Sequence, residues 1–382
     1  MKKLGFGCMR LPLMDQNNQK SFDMPQLCSM VDAFLERGFT YFDTAYMYHD
    51  FESERVMKQA LIERHPRETF LLATKLPTMF LKEVPDMERI FSEQLEKTGA
   101  GYFDYYLLHS LNEENYETVQ RLDAFGFCMR KKQEGLIRRL GFSFHDSAAL
   151  LDKILTEHPE TEFVQLQLNY LDWDNETVQS RKCYEVAKKH GKDIIVMEPV
   201  KGGTLAKVPE QAEQLLKRYA PAHSVPSWAI RFAASPDNVV MVLSGMSSME
   251  QVEDNLKTFC HFDRLSETEQ ALLADIARSM MDIVPCTACR YCCDGCPMQL
   301  DIPYLLKIYN DAKFSPTVMN GMLINALPKE AQPAACIGCG ACAQVCPQHI
   351  DIPAALADLT KIIAEGPDWA KVSAERLKLD RK

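Results

Sequence analysis

Eight of the fourteen cysteines in this chain fall into two copies of one spacing. Cys286, Cys289, Cys292 and Cys296 run directly into Pro297, and Cys336, Cys339, Cys342 and Cys346 into Pro347; both read C-x2-C-x2-C-x3-C-P. A thiolate every third residue lets one short loop hold three corners of an iron–sulfur cube, and the fourth cysteine of such a run ligates the other cluster. By that crossing rule Cys286, Cys289, Cys292 and Cys346 form one set. Cys336, Cys339, Cys342 and Cys296 form the other. Structural zinc takes two pairs of ligands rather than two sets of four, and a disulfide framework belongs in a small secreted chain. The spacing therefore predicts two [4Fe–4S] clusters. Cys293 sits beside Cys292 and breaks the spacing. Cys8, Cys28, Cys128, Cys183 and Cys260 stand alone in apolar surroundings and read as small hydrophobes.

The rest of the chain is long enough for more than a cluster module: 382 residues allow two or three domains. Hydrophobic residues make up 46% and charged residues 25%, an ordinary soluble composition. A net charge of −10 argues against nucleic acid and anionic membrane surfaces as partners. The N-terminal MKKLGFGCMRLPLMDQ carries two lysines but no apolar stretch of export-signal length. No run approaches the roughly 20 apolar residues of a membrane helix. Reduced thiols and a cluster motif without an export signal point to the cytoplasm.

Up to about residue 260, short β-type runs alternate with longer helical patterns. The strand candidates are 4–11, 40–45, 69–76, 104–110, 137–143, 162–168, 193–200 and 238–245. Their centres are continuously apolar, as in parallel strands covered on both faces. Helical stretches such as 24–38 have apolar spacing near 3.6 and end in Gly. Eight strand–helix units fit a (β/α)8 TIM barrel. A doubly wound sheet would want G-x-G-x-x-G after its first strand, and none is present. From 261 a connecting helix, the first cysteine motif, a helical spacer (302–330), the second motif and a last helix follow. QLDIPYLLKIY after the first motif and HIDIPAALADL after the second mark an internal repeat. The expected organisation is a barrel over 1–262 and a mostly helical ferredoxin-like iron–sulfur domain over 263–382.

In such a barrel chemistry sits at the C-terminal ends of the strands. Asp43 ends the second strand, with Tyr48 five residues on; Lys75 ends the third and His109 the fourth. Each alone reads as a capping, core or solvated residue. Together, on three successive strands, they read as a site. Through FDTAYMYHDFESE (42–54), LLATK (71–75) and YYLLHS (105–110), residues 4 to 260 resemble the aldo/keto reductase family, in the branch with a ferredoxin-type extension. The resemblance implies NAD(P)H as cofactor, a small carbonyl substrate and a catalytic tetrad of Asp43, Tyr48, Lys75 and His109. Tyr48 would protonate the carbonyl oxygen, Lys75 would favour the phenolate, Asp43 would hold Lys75, and His109 would orient the carbonyl. Tyr46 is out of register for the acid.

The resemblance also implies nucleotide contacts, with departures. Ser143 matches the first residue of a Ser–Asn pair on the nicotinamide carboxamide, but Phe144 replaces the Asn. Gln165 matches a carboxamide-binding glutamine, and Met197 stands where an aromatic ring stacks on the nicotinamide. Lys201 and Gly202 (with Gly203) form a loop able to approach the pyrophosphate; the same glycines read equally as a plain turn. Counting back from Asn255, the cations that clamp the 2′-phosphate of NADPH fall on Gly245 and Gln251, so no preference between NAD and NADP is implied.

Two function classes follow. One is a nicotinamide-dependent carbonyl reductase with an attached electron-transfer domain. The alternative is an electron-transfer module whose barrel docks a redox protein partner or binds flavin. A purely structural role for the clusters is the third reading. Hydride carries two electrons whereas each cluster takes one, and flavin is the usual means of splitting the pair, although the sequence shows no flavin motif.

Overall fold

The computed structural model describes residues 2–175, 178–280, 283–314 and 318–366. Residues 281–282 of the expected connecting segment, 315–317 of the spacer and 367–382 of the expected last domain lie outside the described residues. The chain folds into two compact units, Met1–Val200 with Ala220–Ala274, and Lys201–Tyr219 with Asp275–Lys382.

The first unit is built on eight parallel strands: β1 (Leu4–Gly7), β2 (Tyr41–Asp43), β3 (Leu71–Pro77), β4 (Phe103–Leu111), β5 (Ile137–Phe144), β6 (Phe163–Gln167), β7 (Asp193–Met197) and β8 (Val239–Gly245). They pair in sequence order, and β1 pairs with β8 to close the barrel. All eight expected strands are present, several shorter than their apolar runs. Side chains alternate across a strand, and that alternation sorts the barrel into two cores. Outward residues such as Phe6, Phe42, Leu72, Tyr106, Phe142 and Val164 pack with the surrounding helices. Inward residues Tyr41, Ala73, Tyr105, Leu107, Phe163 and Met241 fill the barrel interior. The inward rings interlock edge to face, Tyr41 on Tyr105 at 4.9 Å and Tyr105 on Phe163 at 5.1 Å.

Rings of that size fit only where a neighbouring strand gives up its side chain. Gly141 faces Phe163 in the β5–β6 register. A Cβ there would stand 2.4 Å from the Phe163 carbonyl oxygen and 2.7 Å from its ring. One strand step above this layer, the inward positions are Asp43, Lys75, His109, Ser143, Gln165 and Met197. The alternation that packs the barrel thus also lifts these polar side chains to its C-terminal mouth.

The second unit keeps the sequence repeat in its backbone. Short helices Tyr291–Asp294 and Ala341–Gln344 carry the third cysteine of each motif, and helices Ile302–Phe314 and Ile352–Glu365 follow the Cys-Pro pairs. Left-handed positions Ala288, Arg290 and Gln299 recur fifty residues later at Gly338, Gly340 and His349. Its core gathers Leu305, Leu306, Leu356 and Leu359 with Cys292 and Cys342.

Gly141→Ala should overpack the barrel interior and lower its stability by about 1–3 kcal/mol. Urea unfolding followed by tryptophan and tyrosine fluorescence checks this. An unchanged midpoint would show that Phe163 has room to move.

Candidate active site and cluster cavities

The mouth of the barrel holds a charged side chain with no solvent exposure. Lys75 is 0% exposed, and its Nζ donates to Asp43 Oδ1 at 2.5 Å, to the Thr44 carbonyl at 2.8 Å and to Tyr48 Oη at 3.3 Å. A buried ammonium is stable only when paired and hydrogen-bonded, and these three oxygens use its three donors. Burial works against the charge, but the Asp43 carboxylate and the Tyr48 oxygen outweigh it and hold Lys75 above the ordinary lysine value. Gln165 donates its amide to the other Asp43 oxygen at 3.1 Å and fixes the carboxylate from the far side of the barrel.

Tyr48 begins a short turn after β2. Burial raises its phenol above the usual value, and the Lys75 charge opposes that without cancelling it. The phenol is therefore protonated at neutral pH, and Lys75 lowers the cost of the phenolate it would leave. The Tyr48 ring meets the His109 ring edge to face at 6.0 Å. Burial, then the Lys75 charge, drive the His109 pKa well below its ordinary value, so the ring is neutral. Its Nδ1 is buried without a hydrogen-bond partner, which leaves hydrogen-bonding capacity unspent inside the mouth.

Of the expected nucleotide residues, Ser143, Gln165 and Met197 share the inward layer at the mouth with the tetrad. Ser143 Oγ accepts from the Ser110 amide at 2.7 Å, and Met197 closes β7. Asn255 donates to Ser244 Oγ at 2.8 Å, tying the helix Met249–Cys260 to β8. Gln251 accepts from the Ser247 amide at 2.7 Å in the first turn of that helix. Gly245 lies under the Arg10 side chain, whose stem would be 3.3 Å from a Cβ there. Arg10 is a cation beside the expected phosphate end that counting along the last strand could not find. Lys201 and Gly202 belong to the second unit. His145 was also missed. Ser143 points inward and Phe144 outward into the helical core, so His145 is the next residue on the inward side. Burial lowers its pKa to about 4, leaving it neutral with one donor and one acceptor.

In the second unit Cys286, Cys289, Cys292 and Cys346 line one cavity, and Cys296, Cys336, Cys339 and Cys342 line another. These are the two crossed sets. Among the described residues no three His, Cys, Asp or Glu side chains converge as for a single metal ion. Thiolates spread around a cavity suit the corners of a cube. Apolar walls, Leu306 and Ile352 in the first cavity and Leu300 and Leu356 in the second, exclude water from it. The Ala288 amide donates to Cys286 Sγ at 3.4 Å, the kind of backbone contact that left-handed nests supply to cluster sulfurs. Cys293 lines neither cavity. The donor set fits the predicted groups.

The barrel mouth thus gathers a Tyr–Lys–Asp–His constellation, and comparison with known proteins gives the family. The aldo/keto reductase family model matches residues 3–278, and a 4Fe-4S dicluster domain model matches 285–350. The chain belongs to the aldo/keto reductase family and carries a C-terminal 4Fe–4S dicluster domain. It is similar to an uncharacterized oxidoreductase, YqkF, of Bacillus subtilis, at 22% identity over 70% of this chain and 90% of that protein. An NADH-specific methylglyoxal reductase of Escherichia coli is also similar, at 22% identity over 67% of this chain and 89% of that protein. Among solved structures, the holo form of aldo-keto reductase AKR11C1 from Bacillus halodurans matches with a TM-score of 0.57 and 24% identity, covering 72% of this chain and 91% of that one. An aldo-keto reductase from Klebsiella pneumoniae in complex with NADPH matches with a TM-score of 0.54 and 21% identity, covering 72% and 90%. Among the described residues no helix is long and apolar enough to cross a membrane.

Glu54 supports the site from outside the barrel. It is fully buried; its Oε1 accepts from Thr74 and Gln94, and Gln94 also donates to the Lys75 carbonyl at 3.0 Å. Burial raises its pKa to about 7, against its two hydrogen bonds. A carboxyl with a raised native pKa contributes stability that is whole below pH about 4.5 and is lost as pH rises to about 7. Glu54→Gln keeps the acceptor and removes the titration. Relative to wild type, the variant should gain on the order of 3 kcal/mol between pH 5 and pH 8. Urea midpoints at the two pH values check this, and a parallel pH trend in both proteins would place the Glu54 pKa in the ordinary range.

Proposed function

We propose that this protein is an NAD(P)H-dependent reductase of small aldehydes or ketones, with an attached domain that passes electrons through two [4Fe–4S] clusters. The observation that carries the reading is the relay from Asp43 through Lys75 to Tyr48. The overall change is addition of hydride to the carbonyl carbon and a proton to its oxygen, giving the alcohol and the oxidised nucleotide. Bound NAD(P)H supplies the hydride. Tyr48 supplies the proton, since its phenol is loaded at neutral pH and the Lys75 charge stabilises the oxygen it leaves behind. His109, neutral and unsatisfied at Nδ1, hydrogen-bonds the carbonyl and orients it. His145 takes the place of the missing Asn, since a neutral imidazole matches the donor and acceptor of a nicotinamide carboxamide. Arg10, whose stem lies against Gly245, is a cation at the expected phosphate end.

The clusters, when bound, exchange single electrons. Cys286, Cys289, Cys292 and Cys346 would hold one, and Cys296, Cys336, Cys339 and Cys342 the other. The second reading, an electron carrier whose barrel docks a redox partner or holds flavin, draws on Phe144, Met197, Gly245 and Gln251. All four depart from the nucleotide-binding pattern.

Tyr48→Phe removes the acid and little volume. Carbonyl-dependent oxidation of NADH or NADPH should fall by about 10²–10⁴-fold, with nucleotide affinity nearly unchanged. Methylglyoxal, named for the Escherichia coli relative, is a first substrate to try. Equal rates in wild type and variant would remove Tyr48 from the chemistry. No turnover in either, with a flavin absorption band in anaerobically purified protein, would favour the electron carrier.

Iron content tests the ligand sets. Anaerobically purified protein should hold about eight irons per chain. Cys293→Ser should keep that number and Cys346→Ser should lose about half. Full iron in Cys346→Ser would break the crossed assignment.

A further inference from the structure

Lys201 and Gly202 read in sequence as a pyrophosphate loop, but they pack within the second unit. Lys201 is 0% exposed, and its Nζ donates to Gln348 Oε1 at 3.3 Å. Gln348 is 5% exposed, stands two residues past Cys346 and lines the cavity of the first cysteine set. Gly202 lies against Thr287, between Cys286 and Ala288; a Cβ on it would be 2.4 Å from the Thr287 carbonyl oxygen. Three successive residues, Lys201, Gly202 and Gly203, have φ of 45°, 63° and 105°. A left-handed conformation is costly for lysine, and it persists here because the loop is gripped on both sides. The result is a buried lysine one side chain behind the wall of one cluster cavity, a wall that itself includes Arg290. The second cavity is walled by Pro297, Met298, Ile337 and Pro353, with no charged residue among those lining it.

We propose that Lys201 sets the reduction potential of the cluster held by Cys286, Cys289, Cys292 and Cys346, raising it above that of the other cluster. This rests on the two-cluster reading. Reduction adds one electron and hence one negative charge to a cluster already bounded by four thiolates. A cation held nearby in a low-dielectric wall favours the reduced form more than the oxidised form, and net local charge is one of the levers on cluster potential. Electrons entering the domain settle on the first cluster.

The test is a potentiometric titration of full-length, anaerobically loaded protein followed by electron paramagnetic resonance. Iron content is measured first, so that failure of the two-cluster reading is seen separately as fewer than about eight irons. Wild type should show two midpoints, with Cys346→Ser identifying which signal belongs to the first set. In Lys201→Gln the higher midpoint should fall. The reduced-to-oxidised ratio at the wild-type midpoint should drop about tenfold or more, about 59 mV for one electron, while the lower midpoint stays. Lys201→Arg keeps the charge and should hold the wild-type value. If Lys201→Gln loses iron, Gln348→Glu decides: a carboxylate introduced at the same wall should lower the same midpoint. Equal shifts in both clusters, no shift, or an equal fall in Lys201→Arg would overturn the proposal.

Discussion

Lys75 has no exposure to water, and its charge survives because Asp43 lies 2.5 Å away in the same closed barrel. Removing one partner of such a pair leaves an uncompensated buried charge, typically costing about 3–5 kcal/mol. Much of the mouth is arranged around that constraint. Gln165 reaches across to the second Asp43 oxygen, the Thr44 carbonyl takes another ammonium proton, and Tyr48 takes the third. Behind β3, Gln94 bridges Glu54, Thr74 and the Lys75 carbonyl and accepts from Tyr106. The ion pair needs a rigid, dry setting, and the same setting keeps Tyr48 protonated and His109 neutral. The buried ion pair and the protonation states of Tyr48 and His109 have one physical origin, the exclusion of water from a charged layer one strand step above an aromatic plug.

The second unit solves a different problem with duplicated parts. A short cysteine loop must turn its backbone amides toward sulfur, which demands left-handed positions. The second copy uses Gly338 and Gly340 there; the first uses Ala288 and Arg290. The first copy therefore accepts strain that the second avoids. It is also the copy against which Gly202 packs, at Thr287, so the surroundings help to fix its conformation.

The barrel was legible because its strands are period-two objects with apolar centres, and each polar exception at a strand end stands out against them. The cysteine sets were legible because cluster geometry is written into local spacing. What stayed hidden depends on neighbours distant in the chain. Ser143 gave no sign that its hydroxyl would be taken by the Ser110 amide. Counting back from Asn255 gave no sign that the Gln251 side chain would turn to the Ser247 amide or that Asn255 would tie its helix to β8. Nothing local in KGG distinguishes a phosphate loop from a loop gripped by a cluster motif more than eighty residues later, because both need the same left-handed glycines. His145 could have been found: once Phe144 is recognised as an outward core residue, alternation places the next side chain inward.

Lys201 opens its loop with its side chain on Gln348, a residue that lines the first cluster cavity. A substitution in this loop therefore meets two constraints, one on the backbone and one on the side chain. Conservative exchange at Lys201 preserves charge but must also satisfy a φ of 45°, and exchange at Gly202 has no side-chain solution, since any Cβ meets the Thr287 carbonyl. Such a segment is held by Thr287 on its backbone and by Gln348 on the Lys201 side chain. Those contacts are what hold a lysine in an unfavourable backbone conformation, out of water, at this point in the chain.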